Sequence, residues 1–146
     1  MMENLRQKAG SLLRKNSGTL LAACAALFTA LVIFSGGVRA SAGDDALRVS
    51  VPLVSGVTVR YDDIRAARLV ENVDPGSRLS GMRGARVLAG RYLNGEFGGY
   101  ALYAYADVPL AIDLLTEDGH VVLNQADEDA TRALYEQLLV NLPDIP

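Results

Sequence analysis

The chain has 146 residues, half of them hydrophobic, with a net charge of −3, one cysteine and one histidine. That leaves room for about one small domain beside an apolar N-terminal run. A single histidine, and a cysteine confined to the apolar run, exclude the usual zinc sites and cysteine nucleophiles, and the acidic balance opposes non-specific nucleic-acid binding.

Residues 1–16 form a basic N-terminus, with Arg6, Lys8, Arg14 and Lys15 against Glu3. Residues 17–37, SGTLLAACAALFTALVIFSGG, follow without a charge. A helix of about 20 apolar residues spans a bilayer core, and a positive flank stays in the cytoplasm. Three readings compete for the run. It is an uncleaved single-pass anchor, a secretory signal cleaved at Ala40-Ser41-Ala42, or a lipoprotein signal with Leu21-Ala22-Ala23-Cys24 as its lipobox. The length of the run from Thr19 to Phe34, and Arg39 before the cleavage motif, favour the anchor. The rest of the chain is then expected to be extracytoplasmic.

Residues 38–49, small and glycine-containing, read as a tether, and 50–146 as the domain. Five cations against one acid up to residue 42 make +4, so with the whole chain at −3 the remainder carries −7. In that remainder Val57–Tyr61 alternates as a strand, Asp62-Asp63 marks a turn and Ile64–Glu71 reads as a second strand. Asn72–Gly76 is a loop. Gly81, Gly84, Gly90, Gly95, Gly98 and Gly99 punctuate short strands, and YALYAYA at 100–106 suits a strand with one packed face. Leu110–Thr116 and His120–Asn124 flank Asp118-Gly119, a type I′ hairpin signal. Finally Ala130, Leu134, Leu138 and Leu142, with Tyr135 and Leu139 beside them, form one stripe of a helix capped by Asp127 and ended by Pro143.

The pattern predicts a mainly β domain with one C-terminal helix, a small antiparallel barrel or sandwich. Gly56-Val57-Thr58-Val59-Arg60-Tyr61-Asp62-Asp63-Ile64, Pro75-Gly76-Ser77-Arg78-Leu79-Ser80-Gly81, Gly90-Arg91-Tyr92 and Asp118-Gly119 before a final helix resemble the bacterial pleckstrin-homology-like domains. The resemblance covers about Ser50 to Leu142. It implies a seven-stranded, strongly bent sandwich or partly open barrel closed by one helix, serving protein or lipid contacts. The lipid-binding members of that superfamily place basic residues between the first two strands, where this chain has Tyr61-Asp62-Asp63, so a phosphoinositide function is not carried over.

Catalytic motifs are weak. His120 has no partner nearby in sequence and reads as a solvated strand end. Asp62-Asp63 lacks the loop of a Ca²⁺ site, and the acids at 127–129 read as a helix cap. The glycines at 81, 84 and 90 open no helix and precede no Lys-Ser or Lys-Thr, so they cradle no nucleotide. No metal or cofactor is expected, and no enzymatic activity. One constellation stands out: Arg78, Arg83, Arg86 and Arg91 occur without an acid between them in an otherwise acidic domain. Guanidinium groups there suit a carboxylate or phosphate on a protein partner or an anionic lipid, unless they pair with the domain's own acids.

These readings predict a membrane-tethered, non-catalytic interaction module. The alternatives are a small anion-binding or enzymatic domain using those four arginines, and an accessory subunit of a membrane complex. In the last, Ala22, Ala26 and Ala30 would let another helix approach closely.

Overall fold

The structure is a computed structural model that describes residues 19, 22–27 and 36–142. The chain divides into two compact units, Met1–Gly36 and Gly37–Pro146. In the first, residues 22–27 are helical, and most of the expected span at 17–37 lies outside the described residues. No helix among the described residues is long and apolar enough to cross a membrane.

The second unit starts earlier than the sequence suggested. Residues expected as a tether form β1 (Arg39–Ala42) and most of β2 (Ala46–Val51), which pair antiparallel. The reason is alternation: Leu47, Val49 and Val51 are buried on one side of β2, and Val38 is buried just before β1. β3 (Val54–Arg60) completes a three-stranded sheet in the order β1-β2-β3. A 3-10 turn, Tyr61–Asp63, then passes the chain to a second sheet. Buried Tyr61 pins it by donating its hydroxyl to the Gly43 carbonyl at 2.8 Å.

The second sheet holds β4 (Ile64–Glu71), β5 (Ser77–Arg83), β6 (Val87–Asn94), β7 (Gly98–Tyr105), β8 (Leu110–Thr116) and β9 (Gly119–Leu123), in the order β4-β8-β9-β7-β6-β5. The resemblance implied seven strands; the described residues contain nine, and β7 pairs parallel with β9. The β8–β9 hairpin also departs from the type I′ expectation. Thr116 pairs with Gly119, so Glu117 and Asp118 form the loop, and only Gly119 has positive φ, at 112°.

Chain connectivity forces this sheet to curl. Its edges, β4 and β5, are joined by five residues, 72–76. Ser77 pairs with Leu93 and Leu93 with Gly99. Extending the β7–β9 register by two residues sets Gly99 beside Gly119, which faces Thr116 and, through it, Ile64. On a flat sheet Ser77 would therefore lie level with the start of β4. Glu71 would be about 24 Å away across the strands and about 20 Å along them, about 31 Å in all. A fully extended linker of this length reaches about 21 Å. Only a rolled sheet with tilted strands brings its edges within reach. Gly81 and Gly90, paired across β5 and β6, ease the bend. Both have positive φ, and a Cβ on either would lie within 2.7 Å of the other's Cα.

Both faces of the rolled sheet are apolar. Outside, Ala89, Tyr103, Ile112, Leu114 and Leu123 pack with Leu47, Val49 and Val59 of the small sheet and with Leu134 and Leu138 of the helix. Inside, Leu88, Tyr92, Tyr100, Leu102, Ala104, Ala111 and Val122 form a second cluster, with Val73 of the linker packed on it. β7 is thus buried on both faces, rather than the one its alternation suggested.

The helix α1 spans Glu128–Asn141. Asp127 caps it by accepting from the Ala130 N–H at 2.7 Å, as expected. Leu134 and Leu138 are buried, whereas Leu139 is 48% exposed and outside the stripe. Pro143 lies outside the described residues. Leu138→Ala should cost about 3 kcal/mol in urea unfolding and Leu139→Ala less than about 0.5 kcal/mol. Equal losses would contradict this placement of the helix.

Candidate functional site

The four arginines do not converge. Arg78 and Arg83 lie on β5, opposite Tyr92 and Leu88 of the inner cluster. Arg91 pairs across to Ala101, a neighbour of the outer core. Arg86 sits in the β5–β6 turn.

Three of the four are engaged within the domain. Arg78 donates to the Gly81 carbonyl at 3.1 Å, and Arg83 to the Gly76 carbonyl at 2.6 Å. The Arg83 guanidinium also lies 5.6 Å from the Tyr92 ring centroid, and Arg86 lies 5.5 Å from that of Tyr105. Arg86 has an acid partner, Asp107, at 3.9 Å. Arg91 makes no ion pair among the described residues. It borders a pocket of about 220 Å³ that includes Thr58, Asp63, Tyr100 and Asp118. The alternative of wholesale pairing with the domain's acids therefore fits Arg86 alone; Arg78 and Arg83 bind backbone carbonyls.

Asp62 and Asp63 lie in the expected turn, the 3-10 turn Tyr61–Asp63. Asp62 accepts from the Arg60 side chain at 3.3 Å, both exposed. Glu117 pairs in the same way with Arg65.

A cluster that the sequence did not reveal lies inside the roll. Asp113 is 2% exposed. One carboxylate oxygen accepts from Arg68 Nε at 2.9 Å, and the other lies 2.7 Å from His120 Nδ1. Arg68 also reaches Glu96 at 3.5 Å. The Phe97 ring packs on His120 with centroids 4.9 Å apart. His120 is thus not a solvated strand end. The β8–β9 register sets it opposite Leu115, one step diagonally from Asp113 on the same face. The available signal was a lone acid in LAIDLLT, sharing a face with Ala111 rather than with the exposed turn.

A histidine held by a buried carboxylate is the geometry of an oriented base. Here the same carboxylate is also held by Arg68, and the imidazole is covered by an aromatic ring. No Ser, Thr or Tyr hydroxyl among the described residues is bonded to His120. Both oxygens of the buried Asp113 carboxylate are thereby hydrogen-bonded, as burying such a group requires.

The inner tyrosines tie the linker and β5 to the rest of the roll. Tyr100, fully buried, donates to the Pro75 carbonyl at 3.1 Å, and Tyr92 donates to the Met82 carbonyl at 2.7 Å. Burial pushes the Tyr100 phenol up to about 12, with the nearby Asp74 charge adding to the shift. Burial also raises Tyr103, partly opposed by Arg91.

Comparison with protein-family models, with curated proteins and with solved structures finds no match for this chain. Its function must therefore be argued from its own geometry.

Two predictions follow from the inner face. Asp113→Ala should cost about 1–3 kcal/mol, because it removes the buried acceptor of the half-buried His120 ring, and His120→Ala about 1–2 kcal/mol. Silent variants in urea melts would show the cluster to be solvated. Tyr100 has a folded-state pKa above its unfolded value near 10, so its contribution is complete below that pH and is lost as pH rises toward about 12. Tyr100→Phe should flatten the loss of stability between pH 9 and 11 relative to the unmodified protein; an unchanged alkaline slope would contradict the assignment.

Proposed function

We propose that the chain is a membrane-tethered, non-catalytic interaction module whose β-domain lies outside the cytoplasmic membrane and binds a protein partner. The uncharged run at 17–37 and its basic flank support the tether. The fold of β1 favours an uncleaved anchor. Ala40-Ser41-Ala42 lies within β1, paired with Leu47–Val49 of β2, so cleavage there would remove an edge strand from the small sheet.

The observation that carries the binding role is the β5 edge. Ser77–Arg83 pairs with β6 on one side only, and all its residues except Met82 are exposed. Leu79 projects there, 57% exposed, beside a β-bulge. Exposed edges are natural docking sites for another chain; on β5 the Gly81 and Met82 carbonyls already accept from Arg78 and Tyr92, so docking would use the rest of the edge. Arg91, which pairs with Ser80 and makes no ion pair among the described residues, supplies a cation for an acidic partner. Membrane confinement raises the effective concentration of a partner in the same bilayer, so weak contacts suffice.

The soluble part lacks lysine, so amine-reactive labels are silent there. In a Cys24→Ser background, Leu79→Cys should react in intact cells with a membrane-impermeant thiol photo-cross-linker and yield one discrete adduct. Arg91→Glu should reduce that adduct at least about fivefold without changing labelling. Labelling only after permeabilisation would contradict the compartment, and labelling without an adduct would contradict the binding role.

A further inference from the structure

The inside of the roll is unevenly filled. Toward the end where β4 starts, Tyr92, Phe97, Tyr100 and His120 occupy the space. At the other end the residues sharing the inner face are small: Ala111 opposite Val70, and Ala104 opposite Leu88. Between them lies Asn124, whose side chain turns to the 105–108 segment. It accepts from Tyr105 N–H at 2.7 Å and donates to the Tyr105 and Val108 carbonyls, each at 3.1 Å.

With two alanines and a turned-away asparagine at its centre, this end is not filled by side chains. A cavity of about 580 Å³ remains, floored by Leu88, Leu102, Ala104, Ala111 and Val122. Its volume falls in the range of small-molecule sites, about 300–1,000 Å³. An apolar floor below polar walls suits a ligand with an apolar part and a polar head.

The mouth is polar and acidic. The linker residues Asn72 and Val73 form one side, and Asp107 to Pro109 the other. Asp107, Val108 and Pro109 also border a shallower cleft lined by Asp127, Glu128 and Asp129. Asp127 is committed to its helix cap and Arg86 partly offsets Asp107, but Glu128 and Asp129 are exposed and make no ion pair among the described residues.

We propose that this end of the roll binds a cationic amphiphile, with its aliphatic chain in the cavity and its ammonium group at the mouth beside Asp107, next to the adjoining cleft that holds Glu128 and Asp129. The site is separate from the β5 edge and does not depend on the partner-binding role. Apolar burial holds the chain, and the acidic rim selects the sign of the head group.

The test uses the full chain in nanodiscs and two photo-reactive probes, dodecylamine and dodecanoate, each with a diazirine at the chain end. Dodecylamine should label peptides containing Leu88, Leu102, Ala104, Ala111 or Val122, about tenfold more than dodecanoate does. Ala104→Phe fills the cavity floor, and Ala106→Trp narrows the mouth from an exposed position. Both should lose that labelling, and Ala106→Trp, at an exposed position, should do so at the unfolding temperature of the unmodified protein. Glu128→Gln combined with Asp129→Asn should keep the labelling and shrink the preference for the amine. Label confined to the 17–37 segment, or label at the cavity untouched by Ala106→Trp, would overturn the site. Equal labelling by the carboxylate probe would overturn the assignment of the cationic head.

Discussion

A five-residue connection governs this domain. Because β4 and β5 are the two edges of one sheet and the linker between them is short, the sheet cannot lie flat. Curling follows from chain length alone, before any side chain is considered. Its consequences run through the structure. The curl creates an inside and an outside, gives the inner face its own apolar cluster, and places the linker against Tyr100 and Val73 against that cluster. It also calls for glycines opposite each other on β5 and β6, where the strands bend most closely together.

The two faces then meet different demands. The outer face is covered by the small sheet and the helix, so large aliphatic side chains fill it and polar groups are scarce. The inner face must bury residues without another layer to cover it. It does so with aromatics at one end and a compensated carboxylate, Asp113, between Arg68 and His120. Burying a carboxylate is costly unless both oxygens are satisfied, as they are here. The other end, where Ala104 and Ala111 replace larger residues, stays open.

Much of the local structure was legible in the sequence. The alternation at 57–61, the loop at 72–76 and the helix stripe with its Asp127 cap all reflect contacts within a few residues of each other. What escaped depended on distant pairing. The strand at Arg39–Ala42 looked like a tether because RASA is small and polar, and only Leu47–Ser50 across from it reveals a ladder. The insertion of β9 between β7 and β8 carries no local signature, since the parallel register with Ala101–Tyr103 is set by sheet order. Nor could the four arginines be sorted from their spacing. The β-bulge between Arg78 and Ser80, and the step from β5 to β6, decide which face each one takes.

The curl is most directly tested by one distance. With Cys24→Ser, spin labels at Glu71 and Leu79, both exposed, would report the gap between the edges by pulsed electron resonance. A rolled sheet predicts a distribution centred below about 20 Å, since the last residue of β4 and the start of β5 are drawn together. A distribution centred near 28 Å, about the separation that a flat sheet with this register requires, would contradict the account.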